Sequence, residues 1–442
     1  PRTIWLNFLA QELGLNIKAS SQGGNDYAYA GALSGPLPYP AGGSDLPTAQ
    51  DQINNYLSKT GGKADPHALY TVWVGANDLK EGLTDILATE IANAILGTNT
   101  PLLPATTIID ASTTNVLNNI NRLSSAGAKS IMAGNLPDLG DTAVFHNRDY
   151  LKTELYIGIF DAFVNYLTKM GVTPSQAREI ARSETGVLVD AFVDQDGDAV
   201  VSGASDASAA YDKQLAARMN ASDANIIQVD VYSMLKAIQA NYQKFGFSGP
   251  YSSYCSPTIK FDSDNNPTLV NVCSGDPSTD VFYDGFHPSQ ATDQIGADYF
   301  LEILEGPLYA AILGEAPISV VDNQNSNIQN ELLAVENDES LLPNRRYRVF
   351  MHGMNGNRKR DEDGIAQPGF NNNTTTFDVG AEYRFNEHFI TGIALGHAMN
   401  DISYAHDAGG FDMTENLLTL LVGYEYHNAY LNGELNYGLI DY

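Results

Sequence analysis

The sequence predicts an α/β domain over residues 1 to 315, followed after a linker by antiparallel strands from residue 344 onward. Two observations carry this. In the first part, short apolar runs alternate with helical patterns, the signature of a parallel sheet covered on both faces. In the second, apolar and polar residues alternate with period two, so each strand has one apolar and one polar face.

The apolar runs of the first part are Ala68–Val74, Ser130–Leu136 and Ile226–Val231, each ending in polar or turn residues. Helical patterns fill Ile108–Ser125, Leu151–Met170 and Tyr211–Met219. Ligands of such sheets bind at the carboxyl ends of the strands, which makes the residues after each run the first candidates for a site. Residues 316–343 are polar, Asn-rich and acidic, and read as a linker with a short helix at Ile328–Val335.

Beyond the linker, Phe377–Phe385, Leu418–Tyr426 and Ala429–Tyr437 alternate most clearly, with Tyr347–Met351 and Ile390–Ala398 as weaker strands. Their connections alternate too. Residues 357–373 and 401–412 are long, whereas Asn386-Glu387-His388 and His427-Asn428 are tight. Long loops on one side, tight turns on the other and aromatics near strand ends describe part of an outer-membrane β-barrel. A soluble meander would share the apolar face, and the loop alternation favours the barrel.

Composition limits the partners. The 53 Asp+Glu against 24 Lys+Arg leave a formal net charge of −29. That balance excludes the positive footprint a nucleic-acid partner requires and a basic patch for anionic lipid. No run of about 18 or more apolar residues is present, so no transmembrane helix is expected. Cys255 and Cys273 stand alone without a CxxC spacing. They close one loop in an oxidising compartment and remain ordinary thiols in a reducing one, with the disulfide favoured by their polar, loop-like surroundings. His67, His146, His352 and His388 show no metal-ligand spacing, so no metal is expected. Asp194-Gln195-Asp196-Gly197-Asp198 resembles part of a calcium loop but lacks the distal Glu. It reads as a solvated turn, as does Asp262–Asn266. The start at Pro1 and the stop inside a strand pattern read as truncation at both ends.

Three segments bear on chemistry. Asp284-Gly285-Phe286-His287-Pro288 places a carboxylate three residues before a histidine, where it can fix the imidazole tautomer and leave Nε2 as a base. On its own the motif more readily describes a helix start, with Pro288 in the first turn. Gly75-Ala76-Asn77-Asp78 follows a buried run, and an amide there can donate to an oxyanion; the bland reading is a turn. Asn25-Asp26-Tyr27-Ala28-Tyr29-Ala30-Gly31-Ala32 offers a glycine whose backbone N–H no side chain obstructs, or simply a loop glycine.

Taken in order, these segments resemble the GDSL-type (SGNH) lipases and esterases. Trp5–Leu15 resembles the helix that follows the family's nucleophile block, and Asn135-Leu136-Pro137-Asp138-Leu139-Gly140 its N-x-P-D-x-G stretch. Ala30 stands where the family often carries a second glycine. The resemblance covers essentially all of residues 1–315. It implies a flavodoxin-like three-layer α/β/α hydrolase domain, no cofactor, an ester or lipid substrate, His287 as general base, Asp284 as its orienter, and Gly31 and Asn77 as oxyanion donors. The family's serine lies in a Gly-Asp-Ser motif upstream of the helix that Trp5 opens. No such triplet occurs in residues 1–442; Gly43-Ser44-Asp45 and Ser274-Gly275-Asp276 only scramble it. One branch of the family joins such a passenger to an autotransporter barrel. That branch implies an outer-membrane location in a Gram-negative bacterium, with the passenger outside the cell. The alternative is a displayed binding passenger without catalysis.

Overall fold

The computed structural model describes residues 3–38, 46–97, 99, 101–336, 346–361, 368–405, 409–427 and 429–442. Two compact units divide the chain, Pro1–Leu301 and Glu302–Tyr442. Gly43-Ser44-Asp45 lies outside the described residues, as do residues 337–343 of the expected linker.

In the first unit the elements run α1 (Trp5–Glu12), α2 (Ala49–Lys59), β1 (Leu69–Val72), α3 (Ala76–Leu96), α4 (Ala105–Ala126), β2 (Ser130–Gly134), α5 (Ala143–His146), α6 (Arg148–Lys169), α7 (Pro174–Asn220), β3 (Ile226–Val229), α8 (Val231–Ala240), β4 (Cys255–Phe261), β5 (Pro267–Cys273) and the start of α9 (Gln290–Glu336). The three apolar runs become β1, β2 and β3, a parallel sheet in that order. Side chains alternate across it. Val72, Ile131 and Ala133 enter one core with Ile53 and Leu57 of α2, Ile120 and Leu123 of α4, and Leu215 of α7. On the opposite face Trp73 packs edge-on against Trp5 of α1 and Phe300 of α9, with ring centres 5.7 and 6.2 Å away. Helices therefore cover both faces, which gives three layers.

The acidic run Asp194–Asp198 is not a turn. It lies inside α7, whose start is fixed by Thr173 accepting from the N–H of Gln176, with Pro174 at the first helical position. Asp190 and Asp194, one helical turn apart, both pair with Lys152 at 3.1 Å. Gly197 is where Arg148 crosses the helix. A Cβ there would stand 1.7 Å from the guanidinium, which donates to the Val193 carbonyl at 2.7 Å. Asp262–Asn266 does form a turn, joining β4 to β5, with Asp262 Oδ1 accepting from the N–H groups of Asp264 and Asn266.

In the second unit β6 (Tyr347–Arg360), β7 (Phe370–Arg384), β8 (Phe389–Tyr404), β9 (Gly410–Tyr426) and β10 (Ala429–Asp441) form an antiparallel sheet with sequential neighbours, and the sheet is not closed. The strands outrun the alternating patterns that announced them. The polar run Asn371–Thr376 and the mixed run Asn400–Tyr404 complete their ladders. The two long connections shrink accordingly to 361–369 and 405–409, of which 362–367 and 406–408 are outside the described residues, as is Asn428 of the tight turn.

What marks the sheet as barrel wall is its inverted polarity. Val349, Met351, Leu395, Leu420 and Leu431 are exposed on one face, while Asn372, Thr376, Asp378 and Glu415 are buried on the other. The buried face packs on the rest of α9. The stretch expected as a linker with a short helix is helical from residue 316 through Glu336, despite Pro317. Ile312, Ala316, Val320, Ile328 and Leu332 form its apolar stripe against the strands. Between them Gln324 donates to Thr419 at 3.1 Å, Asn327 to Asp378 at 2.9 Å, and Glu331 meets His352 at 3.0 Å. A helix whose buried partners are half polar reads in sequence as a linker. Among the described residues no helix is long and apolar enough to cross a membrane.

Candidate active site

The loop before α9 holds Asp284 and His287 in one hydrogen-bonded unit. His287 Nδ1 stands 3.0 Å from both carboxylate oxygens of Asp284. Asp284 Oδ1 also accepts from the backbone N–H groups of His287 at 2.8 Å and Phe286 at 3.0 Å. The carboxylate side chain is only 13% exposed and the imidazole 65%. Burial pushes the Asp284 carboxyl up, but the hydrogen bond and charge of His287 and the two N–H groups outweigh it and hold the group at about 2. The acid is therefore ionised at any working pH. Nδ1 is committed to it, and Nε2 is left facing outward as an acceptor for a proton.

The loop is held from below. The N–H of Val144, on α5, donates to the Gly285 carbonyl at 2.9 Å, and a Cβ on Gly285 would meet Val144 at 3.2 Å. Lys80 Nζ lies 4.4 Å from the centre of the Phe286 ring, and Lys80 is one helical turn beyond Asn77 on α3. Through that contact the imidazole loop and the start of α3 become neighbours.

Asn77 sits in the first turn of α3, at the carboxyl end of β1. Its Nδ2 donates to the Ala32 carbonyl at 3.1 Å. One amide proton is thereby fixed, the plane of the group with it, and the second proton belongs to the same rigid NH2. Gly31, next to Ala32, has φ +80°, a conformation that favours glycine. Among the described residues its N–H has no backbone acceptor. The structure thus brings Gly31 and Asn77 together.

Sequence reasoning missed what locks them. Asp78 is fully buried and accepts from the Ser34 N–H at 3.0 Å and from the Ser34 hydroxyl. Asn119 of α4 donates to the Ser34 carbonyl at 2.9 Å. Burial pushes the Asp78 carboxyl up, against the pull of those Ser34 bonds. Asp212 was missed as well. It receives the Leu136 N–H at 2.8 Å and so fixes the Asn135–Gly140 stretch; burial, less that bond and aided by Asp230 and Asp138, pushes it up to about 7. These long-range partners carry no local signature. The motifs themselves show only that an Asp follows Asn77.

Gly75 sets the entry into α3. Its φ is +127°, and a Cβ would fall 2.0 Å from the hydroxyl of the buried Tyr211, which donates to the Val74 carbonyl at 3.2 Å. Gly75→Ala is expected to destabilise the first unit by about 3 kcal/mol, through backbone strain and overpacking together. Urea unfolding followed by tryptophan fluorescence measures this, because Trp5 and Trp73 are the two tryptophans and both lie in that unit. An unchanged midpoint would show that the backbone relaxes around the new methyl.

The three-layer fold thus places an acid–imidazole pair in a loop that neighbours an amide side chain at the carboxyl end of a strand. Residues 2–300 match the family model of the GDSL-like lipase/acylhydrolases, and the chain belongs to that family. Residues 349–442 match the autotransporter β-domain, so the five-stranded sheet is barrel wall in an outer membrane and the first unit its extracellular passenger. Lipase 1 of Photorhabdus luminescens is 21% identical over 462 residues, covering 98% of this chain and 63% of that protein. Esterase EstA of Pseudomonas aeruginosa is 23% identical over 241 residues, covering 54% of this chain and 37% of that protein. The chain spans less than two thirds of the length of either relative.

Proposed function

We propose that the protein is a cell-surface carboxylic ester hydrolase working by a Ser–His–Asp mechanism, with residues 1–315 as its catalytic passenger. The observation that carries this is the Asp284–His287 pair, with Nδ1 bonded to a buried carboxylate and the ring otherwise open to solvent. The nucleophile is the serine of the family's Gly-Asp-Ser motif, a triplet not found among residues 1–442. The serine hydroxyl attacks the acyl carbon while His287 Nε2 takes its proton. The carbonyl oxygen becomes an oxyanion and accepts from the Asn77 amide and the Gly31 N–H. Collapse breaks the acyl–oxygen bond, and His287 returns the proton to the departing alcohol. Water then attacks the acyl-enzyme, again losing its proton to His287, and the acid leaves with the serine restored. No step in this sequence calls for a cofactor or metal. The names of the two relatives, a lipase and an esterase, support an ester substrate of either kind.

The test is made on whole cells carrying the full-length protein. They are expected to hydrolyse p-nitrophenyl butyrate, and an extracellular protease is expected to remove that activity without lysis. Full-length protein that reaches the surface and hydrolyses nothing would instead be a displayed binding passenger. Activity protected from protease until lysis would contradict display.

A further inference from the structure

The Asp284 carboxylate has one more partner, which its own loop does not supply. Asn271 Nδ2 stands 3.3 Å from Asp284 Oδ2. A carboxylate only accepts, so the amide nitrogen and not its oxygen must face it. Asn271 belongs to β5, the second strand of the β4–β5 hairpin, and is exposed there.

The base of that hairpin is tied to the same loop. The N–H of Tyr254 donates to the Phe282 carbonyl at 3.0 Å, and that of Cys255 to the Tyr283 carbonyl at 2.8 Å. Cys255 faces Cys273 across the ladder, and the two are joined by a disulfide. Cys273 is two residues beyond Asn271 and so lies on the same face of β5. A closed circuit results: Asp284 to Tyr283 by the chain, Tyr283 to Cys255 by a hydrogen bond, Cys255 to Cys273 by the disulfide, Cys273 to Asn271 by the chain, and Asn271 back to Asp284. The far end of the hairpin is pinned too. Arg178 donates to the Asp264 carbonyl at 2.9 Å, and the Arg182 guanidinium lies 4.5 Å from the Phe261 ring centre.

We infer that Asn271 is a positioning residue that holds the Asp284 carboxylate against His287, and that the Cys255–Cys273 bond keeps it in place. Its meaning for catalysis rests on the reading of His287 as the general base. The hairpin also packs Ile259 and Phe261 against the helical cluster that contains Tyr156 and Phe160. Coupled this way, it makes the orientation of the acid depend on a covalent bond in an exposed strand.

The test reads the imidazole itself. On the full chain, the rate at which diethyl pyrocarbonate modifies His287, followed across pH by peptide mass spectrometry, gives its ionisation midpoint without turnover. Asn271→Asp places a second carboxylate beside Asp284, which favours the imidazolium, so the midpoint is expected to rise by about one unit. With Cys255→Ser and Cys273→Ser also present, the same substitution is expected to move it by less than about half as much, the coupling that a shared structural link produces. In ester hydrolysis by the full-length protein, Asn271→Ser is expected to lower kcat about tenfold with KM unchanged, the loss of one hydrogen bond to a charged group. Asn271 is exposed, so these single variants leave the core intact. A midpoint unmoved by Asn271→Asp overturns the inference, and an undiminished shift without the disulfide overturns the part given to it. If His287→Ala keeps full turnover, the general-base reading fails instead, while the midpoint still decides whether Asn271 acts on the pair.

Discussion

His287→Ala in the full-length protein is expected to lower kcat for short-chain nitrophenyl esters by about 10⁴- to 10⁶-fold, with a much smaller change in KM. Without the imidazole nothing takes the serine proton as the carbon–oxygen bond forms, and nothing returns it to the alcohol. What survives is the oxyanion site and whatever binds the acyl group. A second consequence separates this variant from a generic surface change. In the native protein Asp284 is held at about 2, below the ordinary unfolded value of about 3.9. A depressed carboxyl contributes stability that is fully present above its unfolded value and is lost as pH falls through the folded one. Removing His287 removes the largest opposition to burial, so the Asp284 carboxyl rises and that contribution disappears at a higher pH. Acid unfolding followed by circular dichroism is therefore expected to begin at higher pH in His287→Ala than in the parent. Turnover within tenfold of the parent would take His287 out of the mechanism.

How much of this was legible in the sequence depends on the distance over which each feature is encoded. Strands β1 to β3 lie within the three short apolar runs, each ending two residues before its run does. Asp284 and His287 are three residues apart, so their bond follows from local geometry alone. Gly75 likewise announces a turn by its type, although the crowding by Tyr211, which forbids any other residue there, comes from a helix far along the chain. Asn271 and Asp78 show the opposite case. Asp78 finds Ser34 on a distant loop, and Asn271 reaches Asp284 only because a hairpin folds back on its own disulfide. The local sequence around either residue carries no trace of such pairs. The helix over 316–336 outruns the short one expected at Ile328–Val335, and the Asp194–Asp198 run is helical rather than a turn, for a different reason. In both, composition argued for irregular chain, and tertiary partners overruled it: polar strand residues in one, Lys152 and Arg148 in the other.

Asn77→Ala is expected to lower kcat by about 10²- to 10³-fold while leaving KM nearly unchanged. The reason is that the amide meets a full negative charge only after the acyl carbon becomes tetrahedral, so its removal costs the transition state far more than the bound ester. A competing account must be met, because Asn77 also holds the Ala32 carbonyl. If that bond were its whole contribution, truncation would loosen the Gly31 loop and injure substrate binding as much as chemistry. The loop has an independent anchor in Ser34, which Asp78 and Asn119 grip through its N–H, hydroxyl and carbonyl. With that anchor intact, the alanine variant keeps its loop and loses chiefly a proton donor. Asn77→Asp removes the same donor to the Ala32 carbonyl. It preserves shape but sets a negative charge against the developing oxyanion, so its kcat is expected to fall below that of the alanine variant. A rise in KM alone would assign Asn77 to holding the loop and leave the oxyanion to the Gly31 N–H.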